Sequence, residues 1–526
     1  MNPSGGLVEL VAAVAADDPE RVAIASTDDA TPIVRYGELV ERSARVAGGL
    51  AALGVTRGDV VALWLPNVAE YVVLLLAAER LGACVVGLNT RHRSEELGGI
   101  MRTARARALV MMPQFHGVDF AAILREVRDV VPDLRTVVTL GATDAVPGSV
   151  AYETLERGSP LFADGANDGV PLAAFTTSGT TSAPKLATHD AASAARHARN
   201  DAAAFEIGEG DLNLCILPFC GVFGFCAMLA TVAGGGTVLA MPVFDGAAAA
   251  RAIARHDVTH LFGTDPMLAA ILDDAGDTST LRSLRRGGFA DFGGRLASEL
   301  ERWERETGVR FGGLYGSSEC FALMTSWPVE LSAAERARVG GVLVDDEISV
   351  RAVDPETGET CTHGTPGELQ FRGYNLTPGY LGNPEATARA FTPAGWFRSG
   401  DLGTTLDART FVFAARLGDS LRLRGYLVDP REIEEFLERH PSVAKAQVVG
   451  ADAPAGQVPV AFVQPRDGAT IDADELKQFA RERVAAYKVP QFFVAVDAFP
   501  TTPSPNGEKI RKSELRERAR ALLRSS

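Results

Sequence analysis

The run DVVALWLPNVAEYVVLLLAAERLGACVVGL, from Asp59 to Leu88, decides the fold. Asp59–Leu65 reads as a strand, Ala69–Leu81 as a helix and Cys84–Leu88 as a second strand. The alternation continues with a helix over Ser94–Ala104, a strand over Ala108–Met112, a helix over Phe120–Val130 and a strand over Thr136–Leu140. Strands that alternate with helices of this length argue for parallel α/β layers. From Glu347 the texture changes. EISVRAV, GELQFRG and RTFVFAARL are short β-like runs separated by the turns DPETGE and THGTPGE. After Arg416 come a further β pair, a helix over Asp429–Arg439, a strand over Lys445–Val449, a helix over Asp472–Ala486 and a basic tail. A domain boundary falls near Leu417–Asp419, where Gly418 absorbs backbone change at low cost. The expected fold class is therefore α/β. It has a large N-terminal domain (1–417) of layered α/β subdomains with a β-rich subdomain, and a small α+β C-terminal domain (418–526).

Composition narrows the function. The 526 residues are 46% hydrophobic and 23% charged, ordinary for a globular chain and unlike a disordered or fibrous one. The net charge of −15 disfavours a nucleic-acid partner, which calls for a basic face. The charge is uneven: from Leu417 onward 17 Lys and Arg face 16 Asp and Glu, so nearly all the negative charge lies upstream. An anionic ligand is better received by the C-terminal part. The six cysteines (84, 215, 220, 226, 320 and 361) form no CxxC pair and predict reduced thiols in a cytoplasmic protein. The N-terminus has no basic segment ahead of an apolar one and is not read as a secretory signal. Leu212–Phe244 carries no charge and is long enough to span a bilayer. Pro218, Gly221, Gly224, Gly234-Gly235-Gly236 and Pro242 interrupt it, so it is read as a loop, a buried helix and a buried strand, not as a membrane span.

The strongest local signal is FTTSGTTSAPK, Phe175 to Lys185. Small and hydroxylated residues closed by a lysine can turn backbone N–H groups and hydroxyls toward phosphate oxygens, with Lys185 as a point charge. It is not a Walker A loop, because Pro184 stands where that pattern needs Gly. By composition alone, a solvated Ser/Thr-rich linker fits equally well.

The segments that follow, taken with this one, resemble the ANL superfamily of adenylate-forming enzymes: acyl- and aryl-CoA synthetases, peptide-synthetase adenylation domains and beetle luciferases. Residues 175–185 are similar to its phosphate loop, Tyr315-Gly316-Ser317-Ser318-Glu319 to YGxTE, and Ser399-Gly400-Asp401 to TGD. Arg416-Leu417-Gly418-Asp419 is similar to the GRxKD hinge and Asn506-Gly507-Glu508-Lys509-Ile510 to NGxKI. Five motifs in family order span nearly the whole chain.

The resemblance implies an enzyme that joins a carboxylic acid to ATP, releases pyrophosphate and passes the acyl group from the adenylate to CoA. Catalysis of that kind is mostly positioning and charge neutralisation. It implies ATP and Mg²⁺ as cofactors and CoA as co-substrate. Lys509, Lys185 and Glu319 are the implied catalytic residues, with Glu319 also the Mg²⁺ ligand. The implied nucleotide contacts are Thr177, Ser178, Gly179, Thr180, Thr181, Gly288, Gly313, Tyr315, Gly316, Ser318, Asp401, Phe413 and Arg416. Among these, Tyr315 would pack on adenine, and Asp401 with Arg416 would read the ribose hydroxyls. Phe219, Gly221, Phe223 and Gly312 would line the acid pocket. The resemblance implies that the C-terminal domain is mobile, and Gly418, Arg422 and Gly425 would serve its rotation and the second half-reaction. Taken singly, Lys509 reads as a solvated tail lysine and Tyr315 as a core aromatic.

Three departures stand out. Ser182 and Leu186 replace glycines of the phosphate loop, and a Cβ at a position of positive φ costs about 1 kcal/mol or more. Gly221 stands where relatives carry a histidine or aromatic next to the acid, and no Asp lies between Asp211 and Asp245 to pair with an α-amino group, which disfavours amino acids. Gly341-Val342-Leu343-Val344-Asp345-Asp346 replaces the GxPxPG turn. These changes keep a second reading open, in which the acceptor is a carrier protein or an amine, or the acid is nitrite. A third reading, a nucleotide-binding protein without catalysis, is disfavoured by Lys509 and Glu319. The partners expected are a small-molecule acid and CoA or another acceptor, with no nucleic acid and no integral membrane segment. The sequence is silent on a homodimer.

Overall fold

The computed structural model describes the chain except residues 1–4, 143, 163–168, 178–183, 291–295, 356, 418–420, 425, 429, 455, 505–506 and 526. It describes only the backbone at 296–299, 415–416, 422, 426–427, 431, 501–509, 513 and 525. Two compact units emerge, one holding Met1–Thr90, Met101–Thr177 and Lys185–Leu417, the other built on Gly418–Ser526 together with Arg91–Ile100 and Ser178–Pro184.

The Asp59–Leu88 run folds as its pattern dictates. Val60–Trp64 and Cys84–Gly87 are buried along their whole length, which is why they read as continuous apolar runs and not as alternating ones. Ala69–Leu81 lies between them in sequence and is buried on all sides. Gly82 ends this helix at φ 64°, a left-handed cap that glycine adopts without a Cβ penalty. Two charged residues go under with the helix and are paired: Glu79 accepts from the Val8 N–H, and Arg80 donates to Ser43.

These strands belong to a seven-stranded sheet ordered Lys185–His189, Ala173–Thr177, Cys84–Gly87, Val60–Trp64, Ala108–Met111, Thr136–Thr139, Val150–Ala151. All neighbours are parallel except the antiparallel pair at the Lys185–His189 edge. A second seven-stranded sheet runs Arg310–Gly313, Arg286–Ala290, His260–Thr264, Leu212–Cys215, Thr237–Ala240, Val22–Ser26, Val34–Arg35, parallel up to its last pair. The uncharged stretch from Leu212 to Phe244 supplies two strands of this sheet and the buried helix Val222–Ala233 between them. The sequence reading missed the first of those strands. No helix among the described residues is long and apolar enough to cross a membrane.

The texture change at Glu347 marks a six-stranded antiparallel sheet ordered Thr325–Ser326, Gly340–Leu343, Thr410–Arg416, Phe397–Thr405, Pro366–Arg372, Ser349–Val353. The second unit pairs Val443–Ala453 with Gly456–Pro465 as a hairpin, adds Phe492–Ala495 in parallel, and carries the helices Pro430–Leu437, Ala473–Arg483 and Lys512–Ser525. The helix expected to reach Val130 stops at Val127 and tightens into a 3₁₀ turn over Arg128–Val130.

Candidate active site

Parallel sheets present loops and helix starts at the carboxyl ends of their strands, where ligands bind in open α/β folds. Two of the candidate segments leave such ends. The strand Ala173–Thr177 runs into the phosphate-loop segment, and Arg310–Gly313 runs into Leu314-Tyr315-Gly316. The Ser318 hydroxyl donates to the Thr176 carbonyl at 3.1 Å, which ties the two ends together.

The turn from Tyr315 to Cys320 is closed tightly. A Cβ on Gly316 would stand 2.5 Å from the Phe321 carbonyl oxygen and the Ala322 Cα, so only glycine allows this approach. Ser317, Ser318 and Glu319 are half-buried. The Tyr380 hydroxyl donates to Glu319 Oε1 at 2.9 Å, and the Lys185 ammonium lies 5.2 Å from the centroid of the Tyr380 ring. One aromatic side chain thus bridges the lysine of the first motif and the carboxylate of the second. Such a contact holds a cation near a π face while leaving its charge available.

Tyr315 is buried at 6% exposure, and its hydroxyl donates to Asp401 Oδ2 at 2.6 Å, with Asp401 4% exposed. Its ring packs against Phe371, Phe411 and Phe413, with centroids 5.4, 5.0 and 6.0 Å away. Asp401 and Arg416 sit directly opposite each other on adjacent antiparallel strands, and the Leu417 N–H donates to the Gly400 carbonyl. Sheet register therefore joins two motifs fifteen residues apart in sequence. The Ser399 hydroxyl accepts from the Asp401 N–H and fixes the turn that presents the carboxylate.

The other expected residues fall as follows. Gly288 lies within the strand Arg286–Ala290, and Gly312 and Gly313 end the strand Arg310–Gly313. Phe219 is a core residue at 1% exposure, set edge-on to Tyr71, whereas Gly221 and Phe223 lie nearer the surface of the same turn. Among the described residues, a Cβ on Gly221 would meet only the Pro218 carbonyl, at 3.6 Å. Ser178, Gly179, Thr180, Thr181, Ser182, Gly418 and Gly425 lie outside the described residues, as do the side chains of Arg416, Arg422 and Lys509. Leu186 does not incur the expected strain. It sits in the strand Lys185–His189 opposite Thr176, fully buried, and is not among the residues with positive φ. The expected glycine conformation is absent because this position is ordinary extended backbone.

Sequence reasoning missed Tyr380, His189, His197, Asn375 and Thr377, all of which touch the Ser317–Ala322 segment or its side chains. Tyr380 had a usable signal in the turn-rich run Gly379-Tyr380-Leu381-Gly382-Asn383-Pro384. The histidines lay on an apolar pattern with no signal at all. His197, Asp201 and Cys226 form a buried cluster of metal-ligand type. However, His197 Nε2 donates to the Ala322 carbonyl at 2.7 Å, so that nitrogen has no lone pair to offer. Burial also pushes the Asp201 carboxyl well above the usual carboxylate range.

Residues 11–381 match the model of the AMP-binding enzyme family, and residues 432–505 that of the AMP-binding enzyme C-terminal domain. The chain is 32% identical over 501 residues to 4-coumarate–CoA ligase 5 of Oryza sativa subsp. japonica, covering 92% of this chain and 89% of the relative. Among solved structures, it is similar to a double mutant of o-succinylbenzoate CoA synthetase from Bacillus subtilis (25% identity, TM-score 0.82), covering 97% of this chain and 98% of that one. It is also similar to the amide bond synthetase McbA from Marinactinospora thermotolerans (28% identity, TM-score 0.81), covering 98% and 99%. With the ends of two parallel sheets, the Tyr315–Asp401 pair and the Glu319–Tyr380–Lys185 bridge in place, the chain belongs to the AMP-binding enzymes of the ANL superfamily and is an AMP-forming acid ligase of the acyl- and aryl-CoA synthetase type.

Proposed function

We propose that the protein activates a carboxylic acid with ATP and transfers the acyl group to CoA, using the residues assembled above. The observation that carries this reading is the Tyr380 bridge, which brings the phosphate-loop lysine and the Glu319 carboxylate to one place. An oxygen of the acid attacks the α-phosphorus of ATP, the bond to the β-phosphate oxygen breaks, and pyrophosphate leaves. The CoA sulfur then attacks the acyl carbon, and AMP leaves with the bonding electron pair.

Each residue has a part in this scheme. Lys185 and the hydroxyls of Thr177, Thr180 and Thr181 neutralise phosphate oxygens. Tyr315, Gly288, Gly313 and Phe413 border the adenine, and Asp401 with Arg416 accepts and donates at the ribose. Lys509 reaches the α-phosphate and acid carboxylate, a placement worth roughly 3–4 kcal/mol in such sites. Gly221 and Phe223 face the acid, and rotation about Gly418 brings Arg422 and Gly425 to the second half-reaction. A magnesium ion would suit Glu319, whose half-buried carboxylate is a hard oxygen donor. When bound it would neutralise charge on the phosphates. Six free cysteines, five of them buried, support a reducing compartment such as the cytoplasm.

Two observations favour a second reading. The room for a Cβ at Gly221 and the fold shared with an amide bond synthetase support an amine as acceptor in place of CoA. Pyrophosphate release measured with ATP and Mg²⁺ over aryl, short, medium and long acids plus nitrite, each with and without CoA and with amines, tests both. CoA-dependent turnover on one acid is expected. Turnover that ignores CoA and requires an amine would replace the first reading with the second.

A further inference from the structure

The carbonyls of five consecutive residues, Ser318 to Ala322, are each held by a donor. Ser318 accepts from His189 Nε2 at 2.8 Å, Glu319 from the Thr377 N–H at 2.6 Å, and Cys320 from Asn375 Nδ2 at 2.7 Å. Phe321 accepts from the Ser317 N–H at 3.2 Å, and Ala322 from His197 Nε2 at 2.7 Å. Within this segment Phe321 has φ 59°, and Leu323 just beyond it has φ 62°. Side chains with a Cβ occupy that region only where their surroundings hold them there, and such strain gathers at functional sites.

The Phe321 ring lies between the two histidines. His189 stacks on one side with centroids 3.7 Å apart at 20°, and His197 at 5.0 Å and 13°. Both imidazoles are almost fully buried, and desolvation lowers both to about 4, so each is neutral and keeps its N–H on the nitrogen facing the carbonyl. The chain of donors extends outward. Asn200 Nδ2 donates to the Tyr374 hydroxyl at 2.8 Å, and that hydroxyl reaches His197 Nδ1 at 3.3 Å. This fixes the His197 tautomer from behind.

We propose that His189 and His197 are positioning residues that clamp the strained Ser317–Leu323 turn through Phe321, and so set Ser318 and Glu319 for the magnesium-bound phosphates of ATP. The inference rests on the reading of Glu319 given above. It adds two buried residues, His189 at the end of the strand Lys185–His189 and His197 in the helix Ala191–Ala204. A displacement of the turn by about 1 Å is enough to cost a site of this kind up to about a hundredfold.

The test uses ATP as the probe, bound to the full-length protein with EDTA or with Mg²⁺ and followed by calorimetry. His189→Phe and His197→Phe keep the stack and remove the N–H, whereas His189→Gln and His197→Gln remove the stack and restore a donor. In the Phe variants the Mg²⁺-dependent tightening of ATP binding is expected to shrink by about tenfold or more, with Mg²⁺-free affinity unchanged and partial recovery in the Gln variants. Hydrogen exchange across 315–324 is expected to quicken in the same variants and nowhere else in the unit. Phe variants that melt like the wild type, exchange like it and keep the full Mg²⁺ effect would overturn the clamp. If the variants do not fold, exchange in the wild type decides: rapid exchange at the Ser317 and Thr377 amides overturns the proposal, and strong protection there supports it. Glu319→Gln separates the two claims. If it keeps the Mg²⁺ effect, the metal reading of Glu319 fails even though exchange still reports the clamp.

Discussion

Replacing Tyr380 by Phe removes one hydroxyl and nothing else. The ring stays under Lys185 and keeps its packing on Ala187 and Ala386. What is lost is the 2.9 Å hydrogen bond to Glu319 Oε1. Hydrogen bonds to charged groups contribute about 1.5–3 kcal/mol, and Glu319 is only half-buried, so the lower end applies. A loss of about 1.5 kcal/mol corresponds to roughly a tenfold fall in rate if the bond is kept in the transition state. The assay is acid-dependent ATP–pyrophosphate exchange, with turnover and the Mg²⁺ requirement measured separately on the acid that the substrate panel identifies. The expected result is turnover lowered about tenfold, a higher Mg²⁺ requirement and an unchanged KM for the acid. The control Tyr380→Ala also removes the ring, with its cation contact of about 0.5–1 kcal/mol, and opens a cavity costing about 3–5 kcal/mol in stability. Full activity in a folded Tyr380→Phe protein, or a loss confined to the KM of the acid, would refute the argument that Tyr380 orients the Glu319 carboxylate.

Other outcomes follow from the same geometry. Lys509→Ala should lower adenylation by about 100- to 1,000-fold while sparing thioester formation from supplied acyl-adenylate; equal loss of both half-reactions, measured separately, would remove Lys509 from the first step. Tyr315→Phe removes the buried 2.6 Å hydrogen bond that the Tyr315 hydroxyl donates to Asp401 Oδ2, so it should raise the KM for ATP and cost about 1.5–3 kcal/mol of stability, read from denaturant midpoints. Burial holds the folded-state His197 near 4 against an ordinary value of 6.5, so its contribution to stability is present above pH 6.5 and is lost as the pH falls from there toward 4. His197→Gln should flatten this part of the urea-midpoint profile between pH 7 and 4, and an unchanged slope would contradict the neutral buried imidazole.

Much of the candidate site was legible in the chain because the chemistry proposed for it demands particular residues in short runs. Glycines and hydroxyls around a phosphate, a carboxylate beside a tyrosine at 315–319, and Ser399-Gly400-Asp401 all signal locally. The helix Ala69–Leu81 was equally legible, because an apolar run that length between two buried strands has one comfortable conformation. Boundaries set by the last turn were less so, as the 3₁₀ ending at Arg128–Val130 shows. Leu212–Cys215 was hidden because a four-residue apolar strand leaves the same trace as a buried loop.

The sequence by itself determined the α/β layering and the family, and it named the candidate groups for ATP. Period and composition decide which segments are strands and helices, and phosphate chemistry leaves few choices of side chain. Tertiary structure alone decided how those groups are held. Tyr380 meets Glu319 across 61 residues, His189 meets Ser318 across 129, and His197 meets Ala322 across 125. No local pattern encodes such pairs, because a donor that supports a distant carbonyl needs only to be buried beside it, and burial beside a particular atom is settled when the sheets and helices pack.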